Sequence, residues 1–358
     1  MRFASPNWLL LFVPVSILLE RSERASPALV FFAAALAIVP AARLIVQATE
    51  HIAARTGSAV GGLLNATFGN LPELIIATVA LRAGLLEMVR ASIIGAILAN
   101  LLLALGVALL LGGVRYHNQE FNARAARVYS SMMLLAVISL AGPGAFERVF
   151  SAAEHFTAVH AINARLAVLL IAVYALYLFF MLGTHREELA GEADTGHGHE
   201  GGPGWSMPRS VGMLIGASVV AAWMSEILVG AAEGTGEALG MSQTFIGMII
   251  VAVVGGAAES LSAVAAGRRN KLDLTMGVVY GSCIQIALFV APVLVLLSRV
   301  IAPEPLALSF SRAELGVLFL ATLIGGAVAN DGKGNWFKGT QLVAVYAIIA
   351  LLLYFVPG

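Results

Sequence analysis

The chain has 358 residues, 59% of them hydrophobic and only 12% charged, with 21 basic side chains balanced by 21 acidic ones. A soluble domain carries about a quarter charged residues, so this composition excludes a water-exposed globule, and the absence of a basic cluster excludes a nucleic-acid surface. The single cysteine, Cys283, lies in an apolar run and excludes both a disulfide framework and a multi-thiolate metal site.

Apolar runs of about 20 residues, long enough to cross a hydrocarbon core, recur along the chain and predict an all-α polytopic membrane protein. The first, Trp8 to Leu19, has only Arg2 as a basic head and no small-residue cleavage site, so it reads as a retained helix rather than a signal peptide. In chain order the expected helices lie near 8–20, 27–47, 57–82, 87–112, 126–142, 163–183, 208–230, 241–267, 273–298, 311–330 and 339–356, about eleven in all. Between the sixth and seventh, Thr184 to Pro208 is hydrophilic and rich in Gly, His and Glu, which predicts an exposed linker.

The two halves flanking this linker repeat one another. At an offset of 186 positions, Gly61 meets Gly247, Gly69 meets Gly255, Glu73 meets Glu259, Arg82 meets Arg268 and Gly95 meets Gly281. Nine of the 35 positions from 61 to 95 are identical in this register, rare charged residues among them. The expected organisation is therefore an extra N-terminal helix (1–24), a first five-helix repeat (25–183), the linker (184–207) and a second five-helix repeat (208–358). An odd number of crossings per repeat inverts the second against the first, as in secondary transporters that bind their cargo between repeats near the bilayer midplane. Lys and Arg favour the N-terminus and the even-numbered loops, which predicts a cytoplasmic N-terminus and linker; the expected location is a bacterial inner (cytoplasmic) membrane.

Glu73 and Glu259 each lie deep in an apolar crossing, where an ionisable group costs several kcal/mol by most estimates and normally serves transport or proton relay. Gly69, Gly255 and Gly256 beside them allow close helix approach, and Pro72 frees a carbonyl four residues earlier. Carboxylates mixed with carbonyl and amide oxygens suit calcium, whereas no HExxH or thiolate set favours zinc. Asn100 and Gln285, 27 and 26 residues after the two glutamates, offer amide oxygens from the following helices or simple interhelical hydrogen bonds. No GxxxxGK[ST] loop is present to couple a nucleotide. Nor does a nucleophile–base pair or catalytic metal motif suggest a membrane enzyme.

These segments resemble a known family. Gly69 to Ala77, continued by Arg90 to Gly106, is similar to the first repeat motif of calcium/proton exchangers of the cation/calcium antiporter superfamily. Ala257-Ala258-Glu259, Lys271 to Leu274 and Gly281 to Pro292 resemble the second, and Asn330-Asp331-Gly332 with Asn335-Trp336 resembles the last loop. The resemblance implies an antiporter of Ca2+ and H+ in a lipid bilayer, with no cofactor and calcium as cargo. It further implies that Glu73 and Glu259 bind the ion and that Asn70, Asn100, Ser282 and Gln285 surround the pathway. Two departures stand out: the family's second motif reads Gly-Asn-Ala-Ala-Glu-His, and this chain has Gly256 for the asparagine and Ser260 for the histidine. A sodium/calcium exchanger and a passive cation channel are the alternatives.

Overall fold

The computed structural model describes residues 6–22, 24–56, 58–147, 152–184 and 204–355. Residues 185–203 of the 184–207 linker, with its His and Glu residues, lie outside them.

The described residues are helical almost throughout. A short turn leads into α1 (Phe12–Glu20), followed by α2 (Pro27–Thr56), α3 (Ser58–Phe68), α4 (Leu71–Arg82), α5 (Leu86–Tyr116), α6 (Ala123–Glu147) and α7, which runs through Ala152–Phe179 and Phe180–Thr184. After the linker come α8 (Met207–Gly230), α9 (Ala232–Leu239), α10 (Gln243–Gly255), α11 (Ala257–Gly267), α12 (Leu272–Ile301), α13 (Arg312–Ala329) and α14 (Trp336–Tyr354). Among the described residues, eight helices are long and apolar enough to cross a membrane, and the bent pair α9 and α10 makes a ninth. The apolar helix Trp8–Glu20 is too short to cross about 30 Å at 1.5 Å per residue.

The two glutamate crossings each divide in two. The expected helix at 57–82 breaks at Gly69-Asn70 into α3 and α4, and the one at 241–267 breaks at Gly256 into α10 and α11. Pro72 therefore does not kink a continuous helix. It sits in the first turn of α4, where its missing N–H would have no intrahelical partner in any case. Helix α2 extends to Thr56, beyond the expected end at 47, because the polar stretch after the apolar run continues the helical hydrogen bonding.

Helices α5 and α12 occupy the core. Each is interrupted by a π-helical turn, Ala99–Ala104 in α5 and Ile286–Val290 in α12, and α10 has a third at Ile246–Val251. Small residues set the close crossing of α5 and α10: a Cβ on Gly95 would collide with the backbone of Met248, and one on Gly247 with that of Met88. Large apolar side chains such as Val300, Leu320 and Leu352 face outward, as expected where lipid is the solvent.

A two-residue antiparallel ribbon, β1 (Gln119–Glu120) with β2 (Lys333–Gly334), joins the loop after α5 to the loop after α13. Gln119, itself buried, donates through Nε2 to the carbonyl of Gly267 at 2.9 Å and to Asn270 Oδ1 at 3.0 Å. The N–H of Asn122 donates to Asp273 at 2.6 Å. These bonds fasten the C-terminal end of α11 to the first half of the chain.

Candidate ion-binding site

Each glutamate occupies the third position of a helix that begins inside the protein. Asn70 caps α4 and Gly256 caps α11, with nearly the same backbone conformation (φ −96°, ψ 30° and φ −81°, ψ 12°). Glu73 and Glu259 thus lie in the first turn, where the unpaired N–H groups of the helix present partial positive charge. Glu259 is 7% exposed, and all four carboxylate oxygens of the pair are buried. Apart from the N–H of its own residue, no donor among the described residues approaches either carboxylate. The two acids lie within electrostatic range of each other, and Glu50 of α2 is also within range of Glu259.

The helix breaks interlock across the halves. A Cβ placed on Gly255 would lie 3.0 Å from Glu73 Cγ, so α10 and α4 meet at a distance only glycine allows comfortably. Amides of the two long core helices then face the breaks of the opposite half. Gln285 Oε1 lies 3.4 Å from the Cβ position of Gly69, and Asn100 Oδ1 lies 3.9 Å from that of Gly256. Asn100 stands within the π-helical turn of α5, and Gln285 immediately precedes that of α12. Such turns are frequent at functional sites because they shift a side chain out of the regular helical register.

A hydrogen-bonded chain locks this arrangement. Asn100 Nδ2 donates to Ser282 Oγ at 3.0 Å, and Ser282 Oγ donates to Asn70 Oδ1 at 2.7 Å, all three residues being buried. Gln285 Nε2 donates to the Thr67 carbonyl at 3.4 Å, close to the end of α3. The result is two carboxylates with amide and backbone oxygens around them. Among the described residues no group of three or more His, Cys, Asp or Glu could hold a metal, so the oxygens beyond the pair would have to be neutral.

A cavity of about 400 Å³ lies elsewhere, at the C-terminal end of α4, lined by Val79, Arg82, Glu226 and Glu233 among others. Val79 is six residues past Glu73, about 9 Å along the helix. The Arg82–Glu226 pair at its rim is 4.0 Å apart and largely exposed, a geometry worth little in stability.

Residues 26–183 and 209–355 match the sodium/calcium exchanger protein family, which accounts for most of the chain. The chain belongs to that family. It is 40% identical over 363 residues to the Ca(2+)/H(+) antiporter of Aphanothece halophytica, covering 98% of this chain and 96% of that one. It is also 39% identical over 326 residues to the Ca(2+)/H(+) antiporter ChaA of Bacillus subtilis (strain 168), covering 91% and 92%. The structure of native YfkE superposes with a TM-score of 0.83 at 34% identity, over 98% of this chain and 100% of that one. The H+/Ca2+ exchanger CAX shares the fold with a TM-score of 0.70 at 16% identity. The sodium/calcium exchanger family is one of membrane transporters, so an all-helical transport protein is the correct class for this chain.

Within this exchanger fold, all nine residues singled out from sequence, Glu73, Glu259, Gly69, Asn70, Asn100, Gly255, Gly256, Ser282 and Gln285, gather at the two helix breaks and the core helices facing them. Glu50, in the polar last part of α2 beyond its apolar run, belongs to no motif of the sequence. Its proximity to Glu259 follows from how α2 packs on α11, and no local pattern encodes that.

Proposed function

We propose that the chain is a secondary antiporter that exchanges Ca2+ for H+ by alternating access, with both ions competing for Glu73 and Glu259. The observation that carries this reading is the pair of buried carboxylates without a cationic or hydrogen-bonding side-chain partner among the described residues. Two such groups cannot both remain ionised in an apolar interior without positive charge beside them. One divalent cation supplies it, and so do two protons. The two loaded forms are then both electrically neutral at the site and can pass the apolar barrier, whereas the empty ionised form is penalised. The amides of Asn100 and Gln285 would complete an oxygen shell of the kind calcium takes.

The relatives support the choice of ions, since those at about 40% identity over nearly the whole chain are Ca(2+)/H(+) antiporters. On this reading the chain consists of an extra N-terminal helix, two inverted five-helix repeats and the 184–207 linker. It resides in a bacterial cytoplasmic membrane with its N-terminus and linker on the cytoplasmic side. Purified protein in liposomes tests the function. A pH step at constant sodium should drive Ca2+ uptake, and a sodium gradient at constant pH should not. The reverse pattern would make it a sodium/calcium exchanger, and uptake without counter-movement of protons would make it a channel.

A further inference from the structure

Where the chain enters α8, two arginines from opposite halves flank one tryptophan. Arg55 stands in the last turn of α2 and Arg209 in the first turn of α8, two helices that pack side by side. The Trp205 ring lies 4.9 Å from the ring of His51, and the guanidinium of Arg209 lies 5.1 Å over it. Arg55 Nη2 donates to the carbonyl of Gly204, the residue before the tryptophan, at 3.4 Å. Both arginines are exposed, and neither has a carboxylate within 4.0 Å among the described residues. A guanidinium laid over a ring uses its face and keeps its N–H edge for an acceptor. Two cations without a counter-charge are thus held at adjacent residues, 204 and 205.

The patch lies where the apolar helices end. Both α2 and α8 are long and apolar enough to cross a membrane, and tryptophan and arginine suit the level at which a span meets the headgroups. From Arg209 the same face of α8 continues through Gly212 and Gly216, three and seven residues on, to Val219, which is 60% exposed. No neighbouring atom lies within 4 Å of where a Cβ would stand on either glycine. An open furrow therefore leads from the arginine into the apolar part of the span. We infer that Arg55 and Arg209 bind the phosphate of an anionic phospholipid in the leaflet on the linker side, with Trp205 beside the headgroup and an acyl chain along Gly212 and Gly216. Charge complementarity selects this occupant, because a phosphate accepts from guanidinium edges that no carboxylate of the protein occupies. A second copy of the chain fits less well: a two-fold axis along the membrane normal would set Arg209 against its own counterpart. The lipid would bridge the first helix after α1 and the first helix after the linker, and its binding does not depend on which ions the protein exchanges.

Native mass spectrometry of the full chain in detergent, mixed with equal amounts of phosphatidylglycerol and phosphatidylcholine of the same acyl chains, counts the lipid that stays bound. The wild-type protein should retain phosphatidylglycerol in preference. Arg55→Gln and Arg209→Gln, both at exposed positions where packing is not at stake, should each weaken that retention about fivefold. Arg209→Lys, which keeps the charge, should weaken it less. Gly212→Leu leaves both arginines in place but fills the furrow, and it should weaken retention as well. Wild-type retention by the Arg55→Gln, Arg209→Gln double variant would overturn the inference. So would complete displacement of phosphatidylglycerol by inorganic phosphate at the same concentration, which would make this a site for a free anion. A two-chain mass that disappears in Gly212→Leu would assign the furrow to a second copy and overturn it too.

Discussion

Glu73 and Glu259 occupy matching positions in the two halves, third in a helix that starts at an internal break, yet the surroundings of those helices differ at both ends. At the start, α4 is capped by an asparagine tied into the Asn100–Ser282–Asn70 chain, and α11 by a glycine with oxygens around it. At the far end, α4 opens beside a cavity of about 400 Å³ with the exposed Arg82–Glu226 pair, whereas α11 is fastened through Gly267 and Asn270 to Gln119. The repeat supplies what both halves must have, a helix break and an acid. The residues that differ give the two halves unlike helix caps and unlike contacts at the far ends of the glutamate helices.

The comparison predicts that the acids are equivalent and their neighbours are not. Its strongest test removes one charge at a time. Glu73→Gln and Glu259→Gln each keep the volume and one oxygen but leave a divalent ion facing a single carboxylate, an imbalance worth roughly 3 kcal/mol or more for a buried charge. Ca2+-dependent proton movement in liposomes should fall roughly 100-fold or more in either variant. A large loss in one and near wild-type rates in the other would break the equivalence.

A smaller effect is expected at the helix contact. In Gly255→Ala the new methyl would sit 3.0 Å from Glu73 Cγ. Overpacking of that kind costs about 1–3 kcal/mol. The variant should reduce Ca2+ affinity by displacing Glu73, and do so without altering which ions are exchanged. Unchanged affinity in a folded protein would show that α10 and α4 separate freely at this point.

The smallest effect belongs to the ribbon side of the molecule. Lys338 Nζ reaches Asp331 at 2.6 and 2.7 Å, and this hydrogen-bonded ammonium holds the carboxyl below its ordinary range. A carboxylate shifted in that direction stabilises the fold above its unfolded value of about 3.9, and the benefit fades as pH falls through the lower folded value. The pair is largely exposed on the Asp331 side, so its worth is at most about 1 kcal/mol. Asp331→Asn should lower the melting temperature in detergent by about 1 °C at neutral pH. The difference should shrink below roughly pH 4, with transport unaffected throughout. A marked loss of transport would give this loop a part in the exchange cycle.

How much of this was legible in the sequence follows from the range of the interactions. The acids declared themselves because a glutamate inside an apolar run is expensive, and their pairing followed from the repeat register. The amides at 100 and 285 were visible for the same reason, and the close approach at Gly255 was foreshadowed by glycine itself. The splitting of each glutamate crossing was not legible, because Pro72 read as freeing a carbonyl within one helix at 57–82, whereas the chain turns at Gly69-Asn70 and uses the proline to begin the next. Nor were the bonds from Ser282 to Asn70 and Asn100, which join residues 212 and 182 positions apart, or the grip of Gln119 on Gly267 across 148 positions. Hydropathy reports burial, and these contacts depend on which buried surfaces meet.

The central claim is that calcium and protons occupy the same two carboxylates, and proton release on calcium binding measures it directly. Detergent-purified protein in weakly buffered solution, titrated with Ca2+ between about pH 6 and 9, should release protons in proportion to the Ca2+ bound, because a cation can only enter once the carboxylates are free of protons. The Glu73→Gln, Glu259→Gln double variant should release none. Calcium binding by the wild-type protein without proton release anywhere in that range, or equal release by the double variant, would contradict the shared site.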